Sequence, residues 1–170
     1  RQEGLLPVDE AGLQFRDLIV DLYRHILGCL LGTAVGDAVG LKREGLSRQR
    51  AMRLCGGPPL DSSLIFGWGF CSDDTEHTLM VGRALALSQG DPDLFERQFA
   101  ADLRRWLLTG PAGVGFATLR ACLKLLVGFS PRSSGVFSAG NGPAMRSALI
   151  GVCAESNDVL VALVRASTRV

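Results

Sequence analysis

The 170-residue sequence has no run of like charges and no closely spaced pair of cysteines. Its 18 basic and 17 acidic residues are interspersed, with a formal net charge of +1, which argues against a nucleic-acid patch or a basic membrane-surface stripe. The five cysteines include no CxxC pair, so neither a zinc site nor a redox dithiol is predicted. We expect free thiols in a reducing, cytoplasmic compartment and no nucleic-acid partner.

The sequence also has little that would enter a membrane. Its longest apolar stretch, residues 26–36, is interrupted by Asp37 and is shorter than a bilayer requires. No basic-then-apolar leader with a small-residue cleavage site opens the chain. We therefore expect no membrane partner.

Sustained alternation of apolar and polar residues is absent, which argues against strands. Apolar residues recur at every fourth position from Leu18 to Leu30, a helical period, and further helices are predicted to begin at Asp73, Asp91, Phe116, Pro143 and Asp158. We expect the helix that begins at Asp91 to bury Phe95, Phe99, Leu103 and Trp106. The prediction is an all-α helical bundle over residues 15–170 with long functional loops, including 41–70 and 128–142, after an irregular tail at 1–14. Neither end looks capped, so we expect a truncated domain.

Glycine recurs on the first helix at Gly28, Gly32, Gly36 and Gly40. Each costs about 1 kcal/mol relative to alanine, so this face is expected to admit another backbone or a ligand closely. Asp37 lies in the same apolar segment, where a charge either serves function or is held in a hydrogen-bond network. Glu44 follows just past the helix and is expected to reach back toward this end of the bundle.

Two acids stand side by side at Asp73 and Asp74, between the hydroxyls of Ser72 and Thr75. Two carboxylates about 4 Å apart repel by about 4 kcal/mol at an effective dielectric of about 20, so an ordered pair favours water, a proton or a cation. One explanation is local: Asp73 caps a helix in a capping box with Glu76, and the helix dipole favours the second acid. The other is a hard oxygen cluster for magnesium, manganese or calcium, completed by ligands from elsewhere.

Two glycine loops would allow backbone N–H groups to approach an anion. The segment SAGNG, residues 138–142, ends at Pro143, which begins a helix, although a plain turn explains the same residues. Gly113 lies in a second loop of the same ambiguous kind. Arg146, on the following turn, is either a phosphate partner or a solvated charge.

Four ordered segments resemble the ADP-ribosylglycohydrolase family: GCLLGTAVGDAVG followed by Glu44, then CSDDTEHTLM, PAGVGFAT and SAGNGPAMR. The resemblance covers about residues 22–170 and depends on all four segments together. It implies an all-α bundle with two Mg²⁺ ions, Mn²⁺ being the alternative, that cleaves the bond between the anomeric carbon of ADP-ribose and a modified side chain or other acceptor. The implied partner is an ADP-ribosylated substrate or ADP-ribose.

Carried over position by position, the resemblance places metal ligands at Ser72, Asp73 and Asp74. It implies catalytic roles for Glu44, as the general base, and for Asp74, with a metal-bound water as the nucleophile. Asp37 is grouped with the substrate-binding residues, in a supporting role. The loop residues expected to hold the phosphates and the ribose are Gly113, Ser138, Gly140, Asn141 and Gly142.

The family's T-H segment and late D-x-D-T/S motif, which supplies further metal ligands, are not in this sequence. The resemblance therefore implies the N-terminal portion of a catalytic domain, inactive alone, whose remainder is missing or lies in another chain. Two alternatives are a non-catalytic ADP-ribose-binding or crystallin-like structural member of the fold, and a magnesium-dependent nucleotide hydrolase. The linkage, the acceptor and the oligomeric state stay open.

Overall fold

A computed structural model describes residues 10–64, 66–111 and 113–170. The described chain is 71% helical and contains no strand, which confirms the predicted all-α fold. The predicted tail at 1–14 lies mostly outside the described residues, but its last part is already helical. The elements are α1 (Glu10–Gly40), a 3₁₀ helix (Leu41–Arg43), α2 (Arg48–Cys55), α3 (Asp73–Ser88), α4 (Pro92–Leu108), α5 (Phe116–Leu126), α6 (Pro131–Ser134), α7 (Gly142–Met145), α8 (Ser147–Cys153) and α9 (Asn157–Arg169).

Two segments predicted as loops contain helices. Helix α2 lies within residues 41–70; the Ser47 hydroxyl accepts a hydrogen bond from the Arg50 N–H, and Gly56 ends the helix with φ +75°. Its sequence is polar and buries no residue, so apolar periodicity could not detect it. The short helix α6 lies in the second loop, and the helix expected from Pro143 is divided at Arg146 into α7 and α8.

The core forms where α3, α4, α5, α8 and α9 meet. The four residues predicted to face inward from α4 are buried, whereas Arg97, Arg104 and Arg105 are exposed. Asp91 caps this helix by accepting hydrogen bonds from two N–H groups in its first turn. Burying each large apolar side chain contributes about 1.5–3 kcal/mol, so α4 is the central helix of the bundle.

The capping box predicted at the start of α3 is wrong. The cap is Ser72, whose Oγ accepts a hydrogen bond from the Asp74 N–H at 3.5 Å. Glu76 instead accepts a hydrogen bond from Trp106 Nε1 at 2.6 Å. Because a hydroxyl does the capping, the carboxylates of Asp73 and Asp74 stay available for other partners.

Helix α1 packs on α3 and α8 with one side and leaves much of its apolar surface uncovered. Ile26 and Leu30 pack against the core, but other large apolar side chains are exposed: Phe15, Leu18, Ile19, Val20, Leu22, Tyr23, Leu27, Leu31 and Val35. A Cβ added at any of the four glycines would meet no described atom within 4 Å, so the expected close approach is not made here. The accessible surface is 11685 Å² for 18.1 kDa, against about 8,100 Å² for a compact monomer.

The prediction that no segment is long enough to span a bilayer is wrong. Residues 14–43 form one helical segment whose most apolar window of 18 residues has a mean hydropathy of 1.5, which suffices by length and composition, and that window is not buried. The continuous apolar run of residues 26–36 is shorter than this segment because a helix continues through isolated polar residues. Core helices of soluble proteins and N-terminal signal sequences meet the same criterion, so this is weak evidence for a membrane span.

Candidate active site

Asp37 lies near the C-terminal end of α1, 9% exposed, and faces the start of α3. Its Oδ2 accepts hydrogen bonds from the Ser72 N–H at 2.7 Å, the Thr75 N–H at 3.2 Å and the Thr75 hydroxyl at 2.5 Å, and its Oδ1 accepts from the Ser72 hydroxyl at 2.7 Å. Burial raises the pKa of Asp37, but the hydrogen bonds from Thr75 and Ser72 outweigh burial and hold it below 3.8. Asp37 is therefore an ionised anchor for the first turn of α3.

Asp73 and Asp74 are partly buried acids that the rest of the described chain does not neutralise. Burial raises the pKa of Asp73, and the charge of Asp74 raises it further, followed by Glu44 and Asp37. Burial also raises the pKa of Asp74, with Asp37 and Glu44 adding to it. No lysine or arginine among the described residues forms an ion pair with either acid. The pair would gain from a proton or a cation.

The oxygens at the start of α3 have the chemistry that a divalent cation prefers. Ser72 donates its hydroxyl proton to Asp37, so its oxygen can face a metal beside the Asp73 and Asp74 carboxylates. Within residues 10–64, 66–111 and 113–170, however, no group of three or more His, Cys, Asp or Glu side chains converges on one metal position. The oxygen ligands at the start of α3 are of the type that magnesium prefers, but they are too few to fill its coordination sphere.

Glu44 lies just past the 3₁₀ helix and is exposed. Its charge raises the pKa of both Asp73 and Asp74, so it stands near them, as expected. The segment that carries it is fixed by an ion pair between Lys42 and Asp61. Glu44 is thus held beside the acidic pair without contributing a described bond to it.

A cleft of about 380 Å³ opens beside Asp73. Four of the predicted loop residues line it, namely Ser138, Gly140, Asn141 and Gly142, together with the start of α5 and Arg146. Gly113 does not line the cleft, whereas Gly115 does. Gly113 has φ +75°, a backbone conformation that favours glycine. The fold therefore brings Asp73 and the SAGNG loop to one cleft, whereas Asp74 is not among the residues that line it.

Within the SAGNG loop, one backbone N–H group forms a local hydrogen bond, whereas one polar side chain forms no capping hydrogen bond. The Gly140 N–H donates to the Ser138 hydroxyl at 3.0 Å, so this amide is occupied. The Asn141 side chain makes no capping hydrogen bond to α7 and is exposed. Asn141 is therefore the loop side chain best placed to meet a ligand.

Sequence reasoning missed two aromatic residues at the cleft. Phe116 and Phe137 both line it and are fully or mostly exposed. The Arg120 guanidinium lies over the Phe116 ring, 5.8 Å from its centroid. The sequence does show aromatic residues next to glycine loops, and this could have indicated a ligand site because aromatic rings offer flat apolar faces to a ligand.

Residues 19–170 match the family model described as ADP-ribosylglycohydrolase. An uncharacterized protein of Archaeoglobus fulgidus is 36% identical over 132 residues, covering 73% of this chain and 41% of that protein. An ADP-ribosyl-[dinitrogen reductase] glycohydrolase of Rhodospirillum rubrum is 32% identical over 140 residues, covering 74% of this chain and 43% of that protein. The chain thus spans about two fifths of the length of these curated relatives. Since the family match extends over most of the sequence, this chain belongs to the ADP-ribosylglycohydrolase family.

Proposed function

We propose that this chain forms part of a magnesium-dependent hydrolase that removes ADP-ribose from a modified protein side chain or other acceptor. The observation that carries the proposal is the shared cleft: Asp73 lines the same space as Ser138 and Asn141 of the SAGNG loop. Membership of the ADP-ribosylglycohydrolase family supports hydrolysis of an ADP-ribose linkage. The five unpaired cysteines support a cytoplasmic location.

The contacts support the role proposed for Asp37, and the family resemblance implies the role proposed for Glu44. Asp37 fixes Ser72 and Thr75, and so orients the carboxylates of Asp73 and Asp74. A divalent ion, when bound, supplies a fixed positive charge and makes a water more acidic. Glu44 takes a proton from the attacking water as the general base. The negative charge of these carboxylates also stabilises the positive charge that develops on the ribose as the glycosidic bond breaks.

The substrate end of the cleft suits an adenine nucleotide. Backbone groups of the SAGNG loop and the free Asn141 side chain would hold the diphosphate and the ribose. The exposed rings of Phe116 and Phe137 offer stacking faces for a base. The cleft of about 380 Å³ falls within the range of small-molecule sites.

We also propose that further metal ligands come from another part of the same fold, in a longer polypeptide or a separate chain. The partial donor set at Asp73 and Asp74 supports this, as does the length of the curated relatives. The uncovered apolar face of α1 is where such a part would pack, because the chain exposes far more surface than a compact monomer. By this proposal the 170 residues alone do not catalyse the reaction.

The test is release of free ADP-ribose from ADP-ribosylated arginine, serine or DNA by a protein that contains this chain and a segment with the D-x-D-T/S motif. We expect release with Mg²⁺, none with EDTA, and none from the Asp73→Asn, Asp74→Asn double variant. The matched control is Asp91→Asn, which changes an acid at the start of α4, outside the cleft lining. Unchanged turnover in the double variant would remove the metal proposal.

The partial donor set also favours a second candidate, a protein that binds ADP-ribose without cleaving it. Titration calorimetry with ADP-ribose distinguishes the two. Binding without release by the complete protein supports the second candidate, whereas release supports the first. Release of phosphate from a nucleotide, without cleavage of a glycosidic bond, would instead indicate a nucleotide hydrolase.

A further inference from the structure

Arg146 is a buried cation whose described partners are all neutral. It is 3% exposed. Its Nε donates to the Ser167 hydroxyl at 3.0 Å, one terminal nitrogen donates to the Ser167 carbonyl at 2.6 Å, and the other meets His77 Nδ1 at 3.2 Å. Its guanidinium lies 4.5 Å from the centroid of the Phe99 ring. No described carboxylate neutralises it.

Two other buried charges in this fold have counter-ions. Glu96, on α4, pairs with Arg169 at 3.3 Å. Both carboxylate oxygens of Asp102, also on α4, accept hydrogen bonds from one terminal nitrogen of Arg83, at 2.7 and 2.8 Å. Removing a charge from water without a counter-ion costs several kcal/mol, and burial lowers the pKa of Arg146 to about 10. The lack of a described counter-ion at Arg146 therefore asks for a reason.

The position of Arg146 supplies one. It follows the SAGNG loop by four residues, and it is one of the residues that line the cleft together with that loop. Its three hydrogen bonds leave two of the five guanidinium N–H groups without a described partner. His77 must accept at Nδ1, and its pKa is lowered to about 3, by burial and then by Arg146, so the neighbour adds no charge of its own.

We propose that Arg146 gives the cleft its preference for a negatively charged ligand at the SAGNG loop. This inference rests on the proposed function, because the anion it concerns is the diphosphate of ADP-ribose. A neutral side chain of similar size would fill the space between Ser167 and Phe99, whereas the charge acts on the ligand. Because Arg146 is buried, salt screens its charge less than it screens the charge of a surface side chain.

The test compares the affinities of the full chain for ADP-ribose and for adenosine, which has no charge, by titration calorimetry. We expect Arg146→Met to weaken ADP-ribose binding about 30-fold, the effect of one unit charge about 8 Å away at an effective dielectric of about 20. Adenosine binding should change less than about threefold. The matched control is Arg120→Met, which removes an exposed and screened charge from the same cleft and should have a smaller effect.

Arg146→Lys keeps the charge but not the geometry of the guanidinium, and circular dichroism shows whether each variant folds. The inference holds if the ratio of the affinity for ADP-ribose to the affinity for adenosine in the lysine variant stays within about threefold of the wild-type ratio. If the methionine variant does not fold, the comparison of the lysine variant with wild type decides the question. Equal losses for ADP-ribose and adenosine, or a lysine variant that loses the ratio, would mean that Arg146 only supports the loop. Wild-type chain that binds adenosine but not ADP-ribose overturns the proposed function as well.

Discussion

Replacing Asp37 with alanine tests whether this carboxylate builds the site. Asp37 accepts four hydrogen bonds from two residues, Ser72 and Thr75. A hydrogen bond to a charged group contributes about 1.5–3 kcal/mol, but Ser72 and Thr75 are only partly buried, so water replaces part of the loss. We expect Asp37→Ala to lower the free energy of unfolding by about 3 kcal/mol.

Asp37→Asn separates the charge from the hydrogen bonds. The amide oxygen can occupy the position of Oδ2 and keep the three bonds made there. The Ser72 hydroxyl can then rotate and accept a bond from the amide nitrogen. We expect this variant to lose about 1 kcal/mol, which is the difference between an ionised and a neutral acceptor.

Thermal denaturation followed by circular dichroism measures both variants. One kcal/mol shifts Tm by about 2–4 °C in a chain of this size, so Asp37→Ala should lose about 10 °C and Asp37→Asn about 3 °C. The folded-state pKa of Asp37 is lowered, so its contribution is present at neutral pH and is lost as the pH falls through that pKa. The gap between wild type and Asp37→Asn should therefore narrow in acid.

The control is Asp91→Ala, which removes two capping bonds at the start of α4 and should cost about 1 kcal/mol. Asp37→Ala should also abolish any rise in Tm caused by MgCl₂, whereas Asp91→Ala should leave it intact. An Asp37→Ala protein with wild-type Tm, and with the same response to MgCl₂ as wild type, would show that the four bonds neither stabilise the fold nor arrange the acids.

Three other perturbations have expected outcomes. The Asp73→Asn, Asp74→Asn double variant should gain about 0.5–1 kcal/mol at neutral pH without metal, because the pKa of each acid is raised; this gain should fade as the pH falls through those raised pKa values, where wild type is protonated too. Glu96→Gln should lose about 2 kcal/mol in urea denaturation, because the buried carboxylate holds two arginines, and an unchanged midpoint would contradict this. Gly135→Ala should lose about 2 kcal/mol, since its Cβ would lie 2.6 Å from a backbone carbonyl at the end of α9, whereas Gly151→Ala, in open space on α8, should gain about 0.5 kcal/mol.

The sequence predicted the buried face of a helix best where that face consists of regularly spaced apolar residues. On α4, apolar residues spaced by three and four positions identify the buried face, and the arginines between them are exposed. On α3 the buried face is instead His77, Thr78, Val81, Ala84 and Ser88, so polar residues share it. The apolar residue Leu87 of the same helix is exposed. Apolar periodicity alone does not identify a buried helix face that includes polar side chains, because such side chains are buried with hydrogen-bond partners inside the fold.

The sequence named some of the residues that line the cleft, but it did not predict the hydrogen bonds around them. The order of the motifs brought Asp73 and the SAGNG loop to one cleft, as the resemblance implied. Two hypotheses stood open for Asp37, and only the coordinates show that Ser72 and Thr75 hold it. Arg146 was expected either at a phosphate or in solvent, and its burial depends on Ser167, a distant residue. Contacts between residues far apart in the sequence produce no periodic pattern, so they could not be predicted from it.

Two of the charges that the described chain leaves unneutralised, Asp73 and Arg146, line one cleft and have opposite signs. Asp73 lies at one part of its wall and Arg146 at another, and they form no ion pair with each other. A cleft that needed only internal stability would bring such charges together or replace them with apolar residues. A ligand that carries a diphosphate and arrives with a divalent cation offers a negative partner to the arginine and a positive partner to the acids. We infer that the separation of these charges is the physical basis of the selectivity proposed here, because neither a neutral nucleoside nor a bare cation satisfies both ends of the cleft.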